Sequence, residues 1–166
     1  MSDFVNTVDQ IGDEALTKSI IDRSIVEIAD DRVAEVGAQA FAYCIALTKV
    51  NFRAATRIAY QAFTGCAALT TADFSAATSV EGYSLAACSS LTALILRSST
   101  VATLADISAF NGTPIKSGTG YIYVPAALVD SYKAADNWST YANQFRALES
   151  YTVDGTTTGE LDETKI

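Results

Sequence analysis

The chain has 166 residues, 49% apolar and 18% charged, with 11 basic and 19 acidic residues and no histidine. It is long enough to bury a sizeable core and too apolar for a mainly disordered chain, so a single domain is expected. The missing imidazole removes Ser-His-Asp and Cys-His catalysis and histidine metal sites.

Charge is unevenly placed. Residues 1–35 carry nine acids and three bases, residues 36–151 six and seven, and residues 152–166 four and one. A neutral body with acidic ends has no basic stripe for a phosphate backbone, so nucleic acid is not an expected partner. No apolar run approaches the ~20 residues of a membrane span, so membrane insertion is not expected either. The opening MSDFVNTVDQIGDE has neither the basic start nor the apolar stretch of a secretory signal.

In chain order, residues 1–35 read as an N-terminal cap and degenerate coil. Ile11, Gly12, Ala15 and Leu16 match Val36, Gly37, Ala40 and Phe41, and Ser24 to Ile28 would supply a strand. The neighbouring acids Asp13 with Glu14 and Asp30 with Asp31 suit a solvated cap. Adjacent residues point apart, and neither pair has the spacing of a calcium loop.

Residues 36–101 repeat one pattern three times at a spacing of 22: VGAQAFAYCIALTKVNFRAATR, IAYQAFTGCAALTTADFSAATS and VEGYSLAACSSLTALILRSSTV. Val36, Ile58 and Val80 correspond, as do Phe41, Phe63 and Leu85, then Leu47, Leu69 and Leu91, then Phe52, Phe74 and Leu96. Every fixed column is apolar, as stacked coils that build a common core require. In LTKVNF the alternation of Leu47, Val50 and Phe52 with Lys49 and Asn51 predicts a short strand, paired in parallel with its equivalents. The Ala-rich AQAFAYC, with Phe41 and Cys44 three apart, predicts one or two helical turns.

Residues 102–125 read as a stretched fourth coil. AFNGTPI stands where AFxxCxxL is expected, and in TGYIYVP Ile122 and Val124 take the places of Val50 and Phe52 while Tyr121 and Tyr123 take the outward places of Lys49 and Asn51. Pro125 can end that strand and open a helix. Residues 126–151, with Leu128, Val129 and Tyr132 at helical spacing and Trp138 beyond, would close the open end of the stack as a C-terminal cap. The acidic residues 152–166 have no usable apolar pattern and read as a mobile tail.

The pattern I/V-G-x-x-A-F-x-x-C-x-x-L-T-x-V-x-F, complete from Val36 to Phe52, resembles the BspA-type leucine-rich repeat. The resemblance implies an α/β solenoid of 22-residue coils with short parallel strands and short helical turns, capped at both ends over residues 1–151. YVP followed by an amphipathic helix and W-S-x-Y is similar to the segment that ends many short proteins of this type. Family members are chiefly bacterial surface or secreted proteins implicated in adhesion, and similar short proteins are prophage-encoded. The third copy departs from the pattern, with Leu85 for Phe and with Tyr83 and Ser84 for the usual small pair.

Little else carries chemistry. Cys44, Cys66 and Cys88 would form a straight column about 5 Å apart by strand spacing, which cannot converge on zinc. They are expected to be buried small residues, although a disulfide between neighbours is not ruled out by distance. There is no phosphate loop, dinucleotide fingerprint or EF-type loop, and no cofactor or metal is expected. Asn111-Gly-Thr and Asn137-Trp-Ser read as a turn and a helix boundary, and LDETKI lacks the Pro and Gly of a sortase signal.

The remaining candidate is surface. The outward strand rows give Lys49, Thr71 and Ala93, then Asn51, Asp73 and Ile95, continued by Tyr121 and Tyr123. Ile95, Tyr121 and Tyr123 would form a small apolar contact site on a polar face. The expected function is a non-enzymatic module for recognising a protein or glycan, adhesin-like or, lacking a leader and anchor, prophage tail-associated. The alternative is an intracellular scaffold holding a host enzyme. A carboxylate hydrolase would need two convergent acids that the neutral body scarcely offers.

Overall fold

The structure, a computed structural model, describes residues 24–148 and the backbone of a short antiparallel pair, Thr152–Val153 with Thr156–Thr157. The proposed matches of Ile11, Gly12, Ala15 and Leu16, the acids Asp13 and Glu14, and most of the tail lie outside the described residues.

Each 22-residue copy makes one turn of a coil with a strand on two sides. The three-residue strands are β1 (Glu27–Ala29), β3 (Lys49–Asn51), β5 (Thr71–Asp73) and β7 (Ala93–Ile95), and they are followed by β9 (Tyr121–Val124) and β10 (Phe145–Ala147). They form one parallel sheet in the order β1-β3-β5-β7-β9-β10. Register follows the repeat: Val50 pairs with Ala72, Ala72 with Leu94, and Leu94 with Ile122. The strand expected in Ser24 to Ile28 starts later, at Glu27, and pairs Ile28 with Val50.

A second parallel sheet, which the sequence did not announce, runs along another side. Its strands are only two residues long: β2 (Glu35–Val36), β4 (Arg57–Ile58), β6 (Ser79–Val80) and β8 (Thr103–Leu104), in that order. Val36, Ile58, Val80 and Leu104 point inward in register, while Glu35, Arg57 and Ser79 point out. Arg57 ties three coils together, with Nε 2.8 Å from a Glu81 oxygen and Nη1 3.8 Å from Glu35.

Between the sheets the fixed columns are buried. Phe41 and Phe63 stack with centroids 5.1 Å apart and planes 5° from parallel, and Phe63 meets Phe74 at 5.4 Å. Burying each such ring is worth about 1.5–3 kcal/mol, so one core shared by several coils holds coils that could not fold alone. Threonines at the bends continue the ladder: the Thr70 hydroxyl donates to the Thr48 carbonyl and the Thr92 hydroxyl to that of Thr70.

The Ala-rich halves differ from expectation. AQAFAYC is a chain of turns and not a continuous helix, because two residues four apart are left-handed: Gln39 at φ 59° and Tyr43 at φ 60°, with Gln61 and Gly65 in the equivalent places. Alternate N–H groups therefore have different destinations. Those of Ala40, Ala42 and Cys44 bond back within the coil to Gly37, Gln39 and Phe41, while those of Gln39, Phe41 and Tyr43 reach the carbonyls of Tyr60, Ala62 and Thr64 in the next. A helix would have kept all of them inside one coil. The turns stitch coil to coil instead.

Beyond Arg97 the coil is longer. Leu94 pairs with Ile122, and the added residues form a 3-10 turn at Ile107–Phe110 and a short helix at Pro114–Ser117, capped by Thr113 and ended by left-handed Gly118. Short helical turns, Ala126–Leu128, Val129–Ala134 and Trp138–Gln144, then cover the open end. Tyr132, Trp138, Tyr141 and Phe145 pack there with Phe110, with ring centroids 5.1 to 5.9 Å apart. Along strand β8 the cap replaces backbone with side chains: Trp138 Nε1 donates to the Ala102 carbonyl at 2.7 Å, Asn137 Nδ2 to that of Leu104 at 2.7 Å, and the Ala102 N–H donates to the Tyr132 hydroxyl at 2.9 Å. Among the described residues no helix is long and apolar enough to cross a membrane.

Candidate recognition surface

The outward strand rows exist in the expected register, Lys49 beside Thr71, Ala93 and Tyr121, and Asn51 beside Asp73, Ile95 and Tyr123. Their exposure differs from expectation. Lys49, Asn51, Tyr121 and Tyr123 are half-buried, but Thr71, Asp73 and Ile95 are fully buried and offer no open surface. Ile95 packs with Leu148 and Tyr123, because the strand Phe145–Ala147 brings the chain back over this end of the sheet. The Arg146 guanidinium stands 4.4 Å over the Tyr121 ring. Asp73 is paired with Arg53 at 3.0 Å and accepts from the Ser75 hydroxyl, so it holds two neighbouring chain segments together. Ile95 is therefore a packing residue with Tyr123 against it, and Tyr121 lies under Arg146.

Cys44, Cys66 and Cys88 are free thiols and buried. Cys66 Sγ lies 3.1 Å from the Phe41 carbonyl and Cys88 Sγ 3.2 Å from that of Phe63, so each donates to the coil before it. A hydrogen bond from Cys44 favours the Cys66 thiolate, but the competing bond with Cys88 and burial outweigh it and push the Cys66 thiol far above its ordinary value. No group of three potential metal ligands gathers among the described residues.

The open aromatic surface is on the turn side. Tyr43, Tyr60 and Tyr83 are 51%, 46% and 42% exposed, and Ile45, two residues after Tyr43, is 64% exposed. Tyr60 and Tyr83 meet edge to face at 6.0 Å, and the backbone N–H of Tyr60 donates to Glu81, whose other oxygen accepts from Arg57. The Tyr43 ring crosses onto the next coil and lies where Gly65 has no side chain: a Cβ there would stand 2.6 Å from its Cε1. Gln39 Nε2 donates to Gln61 Oε1 at 2.7 Å. Gln39, Ala42, Tyr43, Gln61 and Thr64 line a shallow groove of about 220 Å³.

The left-handed rows aim this strip. Gln39, Gln61 and Tyr83 occupy one, Tyr43, Gly65 and Ala87 the other, and all six have positive φ. The chain signalled the strip only faintly, by three tyrosines that fall outside the fixed apolar columns.

The family model for the BspA type leucine-rich repeat region matches residues 9–122 in six copies. No curated protein matches the chain. Such repeats generally form non-enzymatic, protein-binding modules. With its 22-residue coils, two parallel ladders and fixed columns of Val, Phe, Cys and Leu, the chain belongs to the BspA type leucine-rich repeat family.

Proposed function

We propose that the protein is an adhesin-like recognition module that holds a partner protein on its turn-side tyrosine strip. The carrying observation is the edge-to-face pair of Tyr60 and Tyr83, both over 40% exposed and anchored from below by Glu81 and Arg57. Tyrosine dominates binding hot spots because it gives large contact area with few rotamers to freeze. The strip lies on turns stitched to their neighbours by backbone hydrogen bonds, so little ordering is needed on binding. The half-buried strand positions Lys49, Asn51, Tyr121 and Tyr123 form the comparison surface.

The test compares three immobilised baits: the native chain, Tyr60→Ser/Tyr83→Ser, and Lys49→Ala/Asn51→Ala. A partner protein retained by the native chain and the strand-side variant but lost from the tyrosine variant supports this assignment. Equal retention by the tyrosine variant overturns it, and selective loss from the strand-side variant moves the contact to the sheet.

A further inference from the structure

We infer that the groove at the Tyr43 end of the strip is a binding site, distinct from the pair of Tyr60 and Tyr83, for a neutral hexose ring such as a glycan carries. Its lining is uncharged throughout: two glutamines, a tyrosine, a threonine and an alanine. An anionic or cationic ligand would find no counter-charge there, which favours a neutral one.

The polar groups are paired as a diol requires. Gln39 donates to Gln61, and this leaves the Gln39 carbonyl oxygen as a free acceptor and the Gln61 amide as a free donor among the described residues. The Thr64 hydroxyl donates to the Ala86 carbonyl at 3.2 Å, so its lone pairs can still accept. One donor beside two acceptors matches adjacent hydroxyls, each of which can give and take a hydrogen bond.

Tyr43 supplies the apolar side. It is half exposed and seated on Gly65, which fixes the ring at the groove edge and offers an aromatic surface to the C–H side of a sugar. The volume sets the size. At about 220 Å³ the groove falls below the roughly 300–1,000 Å³ of sites for drug-sized ligands and fits one ring of a chain whose other units run out over the surface.

The test is titration of the full chain with maltotriose, cellotriose and tri-N-acetylchitotriose, followed by the side-chain amide signals of Gln39 and Gln61 in a heteronuclear NMR spectrum. At least one sugar should shift both amides at millimolar concentration, with affinity lowered about tenfold in Tyr43→Ala and in Gln61→Ala and unchanged in Tyr60→Ser/Tyr83→Ser. Absence of shifts with all three sugars, or shifts that survive Tyr43→Ala, overturns the site. Because the Tyr60 and Tyr83 variant reports on protein capture alone, failure of the sugar site leaves the proposed function standing, and the reverse also holds.

Discussion

Single residues show where the repeat tolerates change and where it does not. Phe63 sits between Phe41 and Phe74 in the buried column, so Phe63→Ala should cost about 3–5 kcal/mol through the cavity it leaves. An unchanged thermal melt would remove Phe63 from the core. Gly65 is held by two constraints at once, φ of 75° and the Tyr43 ring standing in its side-chain space. Gly65→Ala should therefore lose at least the ~1–2 kcal/mol of left-handed strain and also displace Tyr43. The ring signals of Tyr43 in an NMR spectrum would report the second effect independently of stability. The three thiols are buried, and the pairing with Cys88 and burial push that of Cys66 above its ordinary value, which predicts that a thiol reagent modifies none of Cys44, Cys66 and Cys88 in the native chain and all three after denaturation.

At the scale of elements, the coil-to-coil ladder and the cap do different work. The cap meets strand β8 with side chains, and Trp138→Phe would orphan the buried Ala102 carbonyl at a cost of about 1–3 kcal/mol beyond the lost volume. A denaturant midpoint unmoved by that change would show that the bond contributes nothing. The parallel strands at 22-residue spacing were legible in the sequence because Val50, Phe52 and their equivalents recur without a slip, and Ile122 fell into the same register across a longer coil. The second sheet was not legible. Strands such as Arg57–Ile58 are too short to show an alternation. The turns were read as helix because alanines suit both, and the left-handed turn at Gln39 and Tyr43 uses residues that do not advertise it. The burial of Ile95 was invisible for a different reason: Leu148, which covers it, lies far along the chain and repeats with nothing.

For the molecule as a whole, the fold acts on one carboxyl and two phenols, at opposite ends of the pH scale. The hydrogen bond from Arg32 holds the Asp30 carboxyl below its usual range despite its partial desolvation. That depressed value means stability fully present above the ordinary carboxylate range and lost as pH falls through the folded one. Burial pushes the Tyr132 hydroxyl, and likewise that of Tyr141, above the ordinary 10.0, so their contribution is present below pH 10.0 and lost as pH rises through the folded value. With no histidine in the chain, the melting temperature should be flat across neutral pH and fall on both sides. Asp30→Asn should flatten the acid limb, and an acid limb unchanged by it would assign that limb to other carboxylates.

The hydrogen bonds of the cap also set a limit on growth. A stack of identical coils is its own template, since the last coil offers the same peptide groups that received the one before. Strand β8 offers them to Trp138, Asn137 and Tyr132 instead of to a neighbour's first coil. Those side chains are chain terminators in the polymer sense. A molecule stripped of them would present a ready seed for end-to-end fibres, which makes the aromatic cap as much a guard of solubility as a source of stability.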